Sequence, residues 1–132
     1  MSEDNVEIVR ELYRATAGGK MDASFEFLAP EVEFHLSGAF PDLGDVYRGH
    51  DEIRRLNDQL NAPWEEISLL PERIVDLGER VLVLCRFHAI GRDGIEVKLP
   101  FAHLWTLHDG QVVRMDAFSD QAAALEAAGL PE

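Results

Sequence analysis

VLVLCRFHAIGRDGIEVKLPFAHLWTLHDGQVVRMDAF, residues Val81 to Phe118, reads as three long antiparallel strands joined by two tight turns. Gly91-Arg92-Asp93-Gly94 and His108-Asp109-Gly110 supply the turns, since Gly and Asp reach the backbone angles of hairpin loops at little cost. Between the turns, side chains alternate with the period of two that a pleated strand imposes. Val81, Val83, Cys85 and Phe87 point one way, and Leu82, Leu84, Arg86 and His88 the other. On the second strand Phe101, His103, Trp105 and Leu107 share a face. Arg86, His88 and His103 are thus polar groups set among large apolar ones. That placement needs a reason.

Outward from this stretch, both flanks carry helix signals. Asp4 with Glu7 forms a capping-box pair, and Val6, Val9, Leu12, Tyr13 and Thr16 recur at helical spacing until Gly18-Gly19. A short helix is expected from Asp22 to Leu28, ended by Ala29-Pro30, and a short strand from Glu31 to Leu36. Ser37 to Gly49 is a long Gly/Pro/Asp loop of the kind that forms binding lips. A third helix runs from Asp51 to Asn61 with Ile53, Leu56 and Leu60 inward. Trp64 to Leu77 is a strand broken or bulged at Pro71, because proline cannot donate to a ladder. After Phe118, Ser119 or Asp120 caps a terminal helix from Gln121 to Ala128. This order describes one α+β domain over residues 1–132: a curved antiparallel sheet wrapped around the N-terminal helices, with a short C-terminal helix.

Composition narrows the function classes. The 46% hydrophobic content fits a globular domain with one sizeable core. Acidic residues outnumber basic ones 25 to 12, for a net charge of −13, so nucleic acid and anionic membranes are disfavoured partners. No apolar run approaches the roughly 20 residues of a membrane span. The acidic start MSEDNVEIVRELY lacks the apolar core of a signal peptide, and a cytoplasmic location is expected. Cys85 is the one cysteine, which excludes an intrachain disulfide and a thiolate cluster. No metal-ligand spacing, phosphate loop, dinucleotide fingerprint or nucleophile elbow is present, so neither metal nor cofactor is expected.

The segments VRELYRA, FEFLAPEVEFH, YRGHDEIRR and AHLWTLHDGQVVRMDAFSDQAAALEAAG, in this order, resemble the NTF2-like superfamily, in particular its SnoaL-like branch. The resemblance covers nearly the whole chain. It implies a cone with a mostly apolar pocket, and homodimers formed through the outer sheet face. The superfamily includes ketosteroid isomerase, limonene epoxide hydrolase, polyketide cyclases and members without known catalysis, so the fold alone does not assign an activity. Ketosteroid isomerase uses an Asp base and an oxyanion hole of a Tyr and a protonated Asp. On that pattern Tyr13 falls close to the tyrosine, Phe34 at the base position and His103 at the protonated-Asp position. The Arg-x-Asp of the epoxide hydrolases falls at Arg86-Phe87-His88, and their second carboxylate at Ala117, beside Asp116.

The candidate catalytic residues are therefore His103, His88 and Arg86, with Tyr13, Phe34, Trp105, Met115 and Ala117 lining a pocket. An imidazole titrates near neutral pH and can move protons, while a guanidinium stabilises a developing anion. The expected partner is a small, largely apolar organic molecule, and any chemistry would be cofactor-free isomerisation, cyclisation or hydrolysis. The rival reading is a non-catalytic dimeric ligand-binding or interaction module with a vestigial pocket. In that reading Arg86 pairs with an acid such as Glu96 or Asp116. Val81, Val83, Cys85 and Phe87 are expected to face outward and to supply a dimer interface. Convergence of Arg86, His88 and His103 on an enclosed cavity of at least roughly 300 Å³ would uphold the small-molecule reading. Divergence or a filled cavity would remove the enzyme in favour of an interaction or binding scaffold.

Overall fold

The computed structural model describes residues 2–17, 24–36, 39 and 43–131. Helix α1 (Ser2–Ala17) buries Val9, Leu12 and Tyr13 along one stripe and turns Glu7 and Arg10 to solvent. The expected stop at Gly18-Gly19 lies outside the described residues. So does the start of the expected second helix; its described part is a 3-10 turn, Phe25–Phe27, and Leu28 already begins a strand. Strand β1 (Leu28–His35) is followed by β2 (Val46–Arg48), a three-residue strand inside the stretch expected to be loop. Helix α2 (Gly49–Asn61) leads into β3 (Trp64–Asp76), whose register shifts between Pro71 and Arg73. Then come β4 (Arg80–Gly91), β5 (Glu96–His108) and β6 (Gln111–Phe118). Helix α3 (Gln121–Ala127) closes the chain, with the Asp120 side chain accepting from the Ala122 amide at 3.0 Å.

The hairpins form where the turn chemistry places them. Asp109 and Gly110 both take positive φ (51° and 78°), as a two-residue loop matched to strand twist requires. The six strands lie in the order β2-β1-β6-β5-β4-β3. One correction concerns strand direction. The sheet is mixed, because β1 runs parallel to β6, with Phe34 opposite Met115 and His35 opposite Asp116. Such a pairing joins segments far apart in sequence, and no local turn signal announces it.

Cross-strand partners share a face, so the register decides what looks inward. Val81, Trp105, Met115 and Phe34 form one row across four strands, and Val83, His103 and Ala117 form the next. These rows face α1 and α2 and make the main core with Val9, Leu12, Ile53 and Leu56. On the opposite face, α3 lays Ala124 and Ala128 over Leu82, Ala102 and Leu104. The expectation that Val81, Val83, Cys85 and Phe87 face outward is therefore reversed: all four are buried in the main core and cannot form an interface. Strand β4 carries large apolar residues on both faces, so alternation alone does not say which side the long helices cover.

Candidate functional site

Between the concave sheet face and the two long helices lies a partly enclosed cavity of about 150 Å³. Helix α1 contributes Leu12 and Tyr13; α2 contributes Ile53, Leu56, Asn57 and Leu60. The strands supply Phe34, Phe101, His103, Trp105, Met115 and Ala117. No described lining residue is a carboxylate, a lysine or an arginine.

Thr16, Ser24, Asn57 and Ser68 are among its polar lining residues, and three further side chains form a connected chain. Trp105 Nε1 donates to Tyr13 Oη at 3.1 Å, and Tyr13 Oη lies 2.6 Å from His103 Nδ1. The indole can only donate, so the phenol oxygen accepts there; its own hydrogen goes to His103 Nδ1, or Nδ1–H donates to its second lone pair, according to the imidazole tautomer. Where the phenol donates, the imidazole carries its hydrogen on Nε2. Nε2 has no hydrogen-bond partner among the described residues, yet no deeply buried side-chain nitrogen or oxygen among them is left unpaired. Nε2 is thus open to the cavity. Burial lowers the His103 pKa to about 4 from 6.5, and burial likewise raises that of Tyr13 well above its ordinary 10.0. Both groups are neutral at pH 7. With the proton on Nε2, the chain is a directed line of donors ending at one N–H.

Around it the walls are aromatic. Tyr13 and Phe34 both meet Trp105 edge-on, at 5.9 Å between ring centroids, and Phe101 meets His103 edge-on at 5.3 Å. Cys85 Sγ stands 3.9 Å from His103 Nδ1. Burial pushes this thiol up to about 12, so it is not a nucleophile at neutral pH. Native protein at pH 8 should leave Cys85 unlabelled by a thiol-specific disulfide reagent, with stoichiometric reaction in denaturant. Rapid labelling of the folded protein would contradict this placement.

The other candidates are elsewhere. Arg86 and His88 alternate with Cys85 and Phe87 and so lie on the opposite sheet face. Arg86 Nε donates to Glu72 at 3.3 Å, and His88 Nε2 lies 3.0 Å from Glu96. The expected convergence of Arg86, His88 and His103 does not occur. Arg86 does pair with an acid, but with Glu72 on β3 rather than Glu96 or Asp116. Asp116 faces away from the cavity and binds Arg114 through both oxygens at 2.9 Å, while Ala117 lines the cavity. His35 lies 2.8 Å from Glu33, and His50 stacks on Phe25 with Nε2 3.1 Å from the Leu28 carbonyl. No group of three or more potential metal ligands occurs among the described residues. No described helix is long and apolar enough to cross a membrane.

Asn57 was not among the sequence candidates. It stands four residues after Ile53 and three before Leu60, a polar residue in an inward helical stripe, and that spacing was its signal. Its Oδ1 accepts from Asn61 Nδ2 at 3.1 Å.

Comparison with known proteins agrees with this fold. A family model described as a SnoaL-like domain matches residues 9–115. An NTF2-like protein of unknown function from Burkholderia pseudomallei is 29% identical over 93% of this chain and 95% of its own, with a TM-score of 0.81. TerC, co-crystallised with polyporic acid, is 23% identical over 96% and 98%, with a TM-score of 0.82. A putative SnoaL-like polyketide cyclase from Jannaschia is 25% identical over 98% and 94%, with a TM-score of 0.75. No curated protein matches the chain.

Proposed function

This chain belongs to the SnoaL-like domain family, and from that premise we propose that it binds a small, largely apolar organic molecule through one acceptor oxygen. The observation that carries the reading is the Trp105–Tyr13–His103 chain with Nε2 open to a largely apolar cavity; in this reading the imidazole hydrogen sits on Nε2 and the phenol hydrogen points to Nδ1. A carbonyl or ether oxygen would accept from Nε2, and the aromatic walls would take the ring or chain attached to it. A neutral imidazole polarises a carbonyl without delivering a proton, and cooperative hydrogen bonds strengthen that last donor. Proton abstraction would need a base. Phe34 and Ala117, which the family resemblance sets at the carboxylate positions, offer none, and Arg86 and His88 are on the other face. Binding is the role that the arrangement supports, with polarisation of the bound oxygen as its chemical consequence.

The cavity volume matches one that admits a benzene ring. Acetophenone and ethylbenzene make a matched pair of probes, differing in the carbonyl. Acetophenone is expected to bind about tenfold more tightly, the worth of one buried hydrogen bond. His103→Leu should erase that preference while ethylbenzene binding persists. Equal affinity of the two probes for the wild-type protein would overturn the reading without depending on any variant.

A further inference from the structure

The cavity above His103 is about half the roughly 300 Å³ at which pockets begin to enclose a drug-sized ligand. It has a neighbour. A second hollow of about 470 Å³ shares Leu60 of α2 and Phe101 of β5 with it as walls. Its floor continues the concave sheet face, since Val97 pairs with Ala89 and Leu99 with Phe87. Trp64 and Phe87 meet edge-on there, at 6.0 Å. The helices do not cover this end of the face: Leu99 is 51% exposed although it points to the same side as the core. An apolar side chain left half in water beside a cavity is a surface that a ligand would improve by covering.

We propose that the ligand is a neutral, two-part molecule. A ring-sized head bearing the acceptor oxygen fills the inner cavity, and an apolar body passes Leu60 and Phe101 into the outer hollow. This rests on the reading of the inner cavity given above and extends it to the ligand's shape and charge. Neutrality follows from the walls. In a chain of net charge −13, neither hollow has a charged side chain among its described lining residues. A carboxylate, phosphate or ammonium on either part would be desolvated without a partner, which is costly. Among the described lining residues of the outer hollow, Gln59 and Ser119 have polar side chains. Gln59 already accepts from the Tyr47 hydroxyl at 2.8 Å. The body is therefore chiefly hydrocarbon.

The chain's two tryptophans report on the two hollows separately, Trp105 in the inner and Trp64 in the outer. Incorporating 5-fluorotryptophan gives one fluorine resonance for each, assigned with Trp64→Phe. The probes are acetophenone, 4-butylacetophenone and the anionic 4-acetylbenzoate. Acetophenone is expected to shift the Trp105 resonance alone. The butyl compound should shift both and bind at least about tenfold more tightly, given about fourfold per fully buried methylene. 4-Acetylbenzoate should gain nothing over acetophenone. Leu99→Glu should remove the gain from the butyl group and leave acetophenone affinity unchanged. If acetophenone shifts Trp105 but the butyl group adds neither affinity nor a Trp64 shift, the two-part ligand is wrong and the inner-site reading stands. If acetophenone leaves Trp105 unmoved, both fall.

Discussion

Acidification from pH 7 to pH 5 is expected to remove about 2 kcal/mol of folding stability through His103 alone, and about 3 kcal/mol once pH 4 is reached. In the unfolded chain this imidazole takes its proton near 6.5; in the folded protein burial holds it unprotonated down to about 4. Between those values the unfolded state binds more protons, so stability falls as pH falls. The contribution is complete above 6.5 and lost through the window down to about 4, with a slope approaching about 1.4 kcal/mol per pH unit. The groups facing the ring are Tyr13, Cys85, Phe101 and Trp105, none of them an acid that would hold an imidazolium. Glu33 and Glu96 titrate below the ordinary carboxylate value because His35 and His88, respectively, hydrogen-bond to them, so their losses come at lower pH. Urea midpoints at pH 7 and pH 5 for the wild type and His103→Leu isolate the effect. The wild type should lose about 2 kcal/mol more than the variant over this interval. Parallel losses would mean that His103 is already protonated or is solvated in the fold.

Tyr13→Phe should cost about 2–6 kcal/mol, although it removes a single oxygen. The hydroxyl serves two buried partners, accepting from Trp105 Nε1 and, in the proposed tautomer, donating to His103 Nδ1. Its loss orphans both, at about 1–3 kcal/mol each. Shape is unchanged, so packing does not account for the loss. A second readout separates this role from a purely structural one. Without the phenol the proposed imidazole tautomer loses its hydrogen-bond donor, and the preference for acetophenone over ethylbenzene should weaken in whatever fraction remains folded. A variant within about 0.5 kcal/mol of wild type, with its ligand preference intact, would show that the donor chain does not exist in solution.

The fold was legible because its signals are local. The turns at Gly91–Gly94 and Asp109–Gly110, the caps at Asp120 and the break at Pro71 are each written in a few adjacent residues. The site was legible in part. His103, Trp105 and Phe101 alternate on one strand, so knowing that one of them faces the cavity fixes the others. What alternation withholds is which face of β4 that cavity meets. Leu82 and Leu84 are as apolar as Val81 and Val83, and the choice is made by α3, which covers Leu82 from far along the chain. Arg86 and His88 went to the opposite face with that choice. The resemblance to Arg-x-Asp hydrolases suggested the other side, and it could not correct for a strand seen without its neighbours. The link from Tyr13 to His103 spans 90 positions and has no local sequence signature at all.

The central claim is that His103 presents Nε2–H to the cavity, with Nδ1 accepting from Tyr13. Two-bond nitrogen–proton correlation spectra of protein labelled with 15N-histidine test it directly. At pH 7 the His103 ring should show a protonated Nε2 and an unprotonated Nδ1, unchanged on titration to pH 5, and Nε2 should shift when acetophenone is added. An imidazolium at pH 7, or a proton resting on Nδ1, would contradict the donor chain and the proposed binding mode with it.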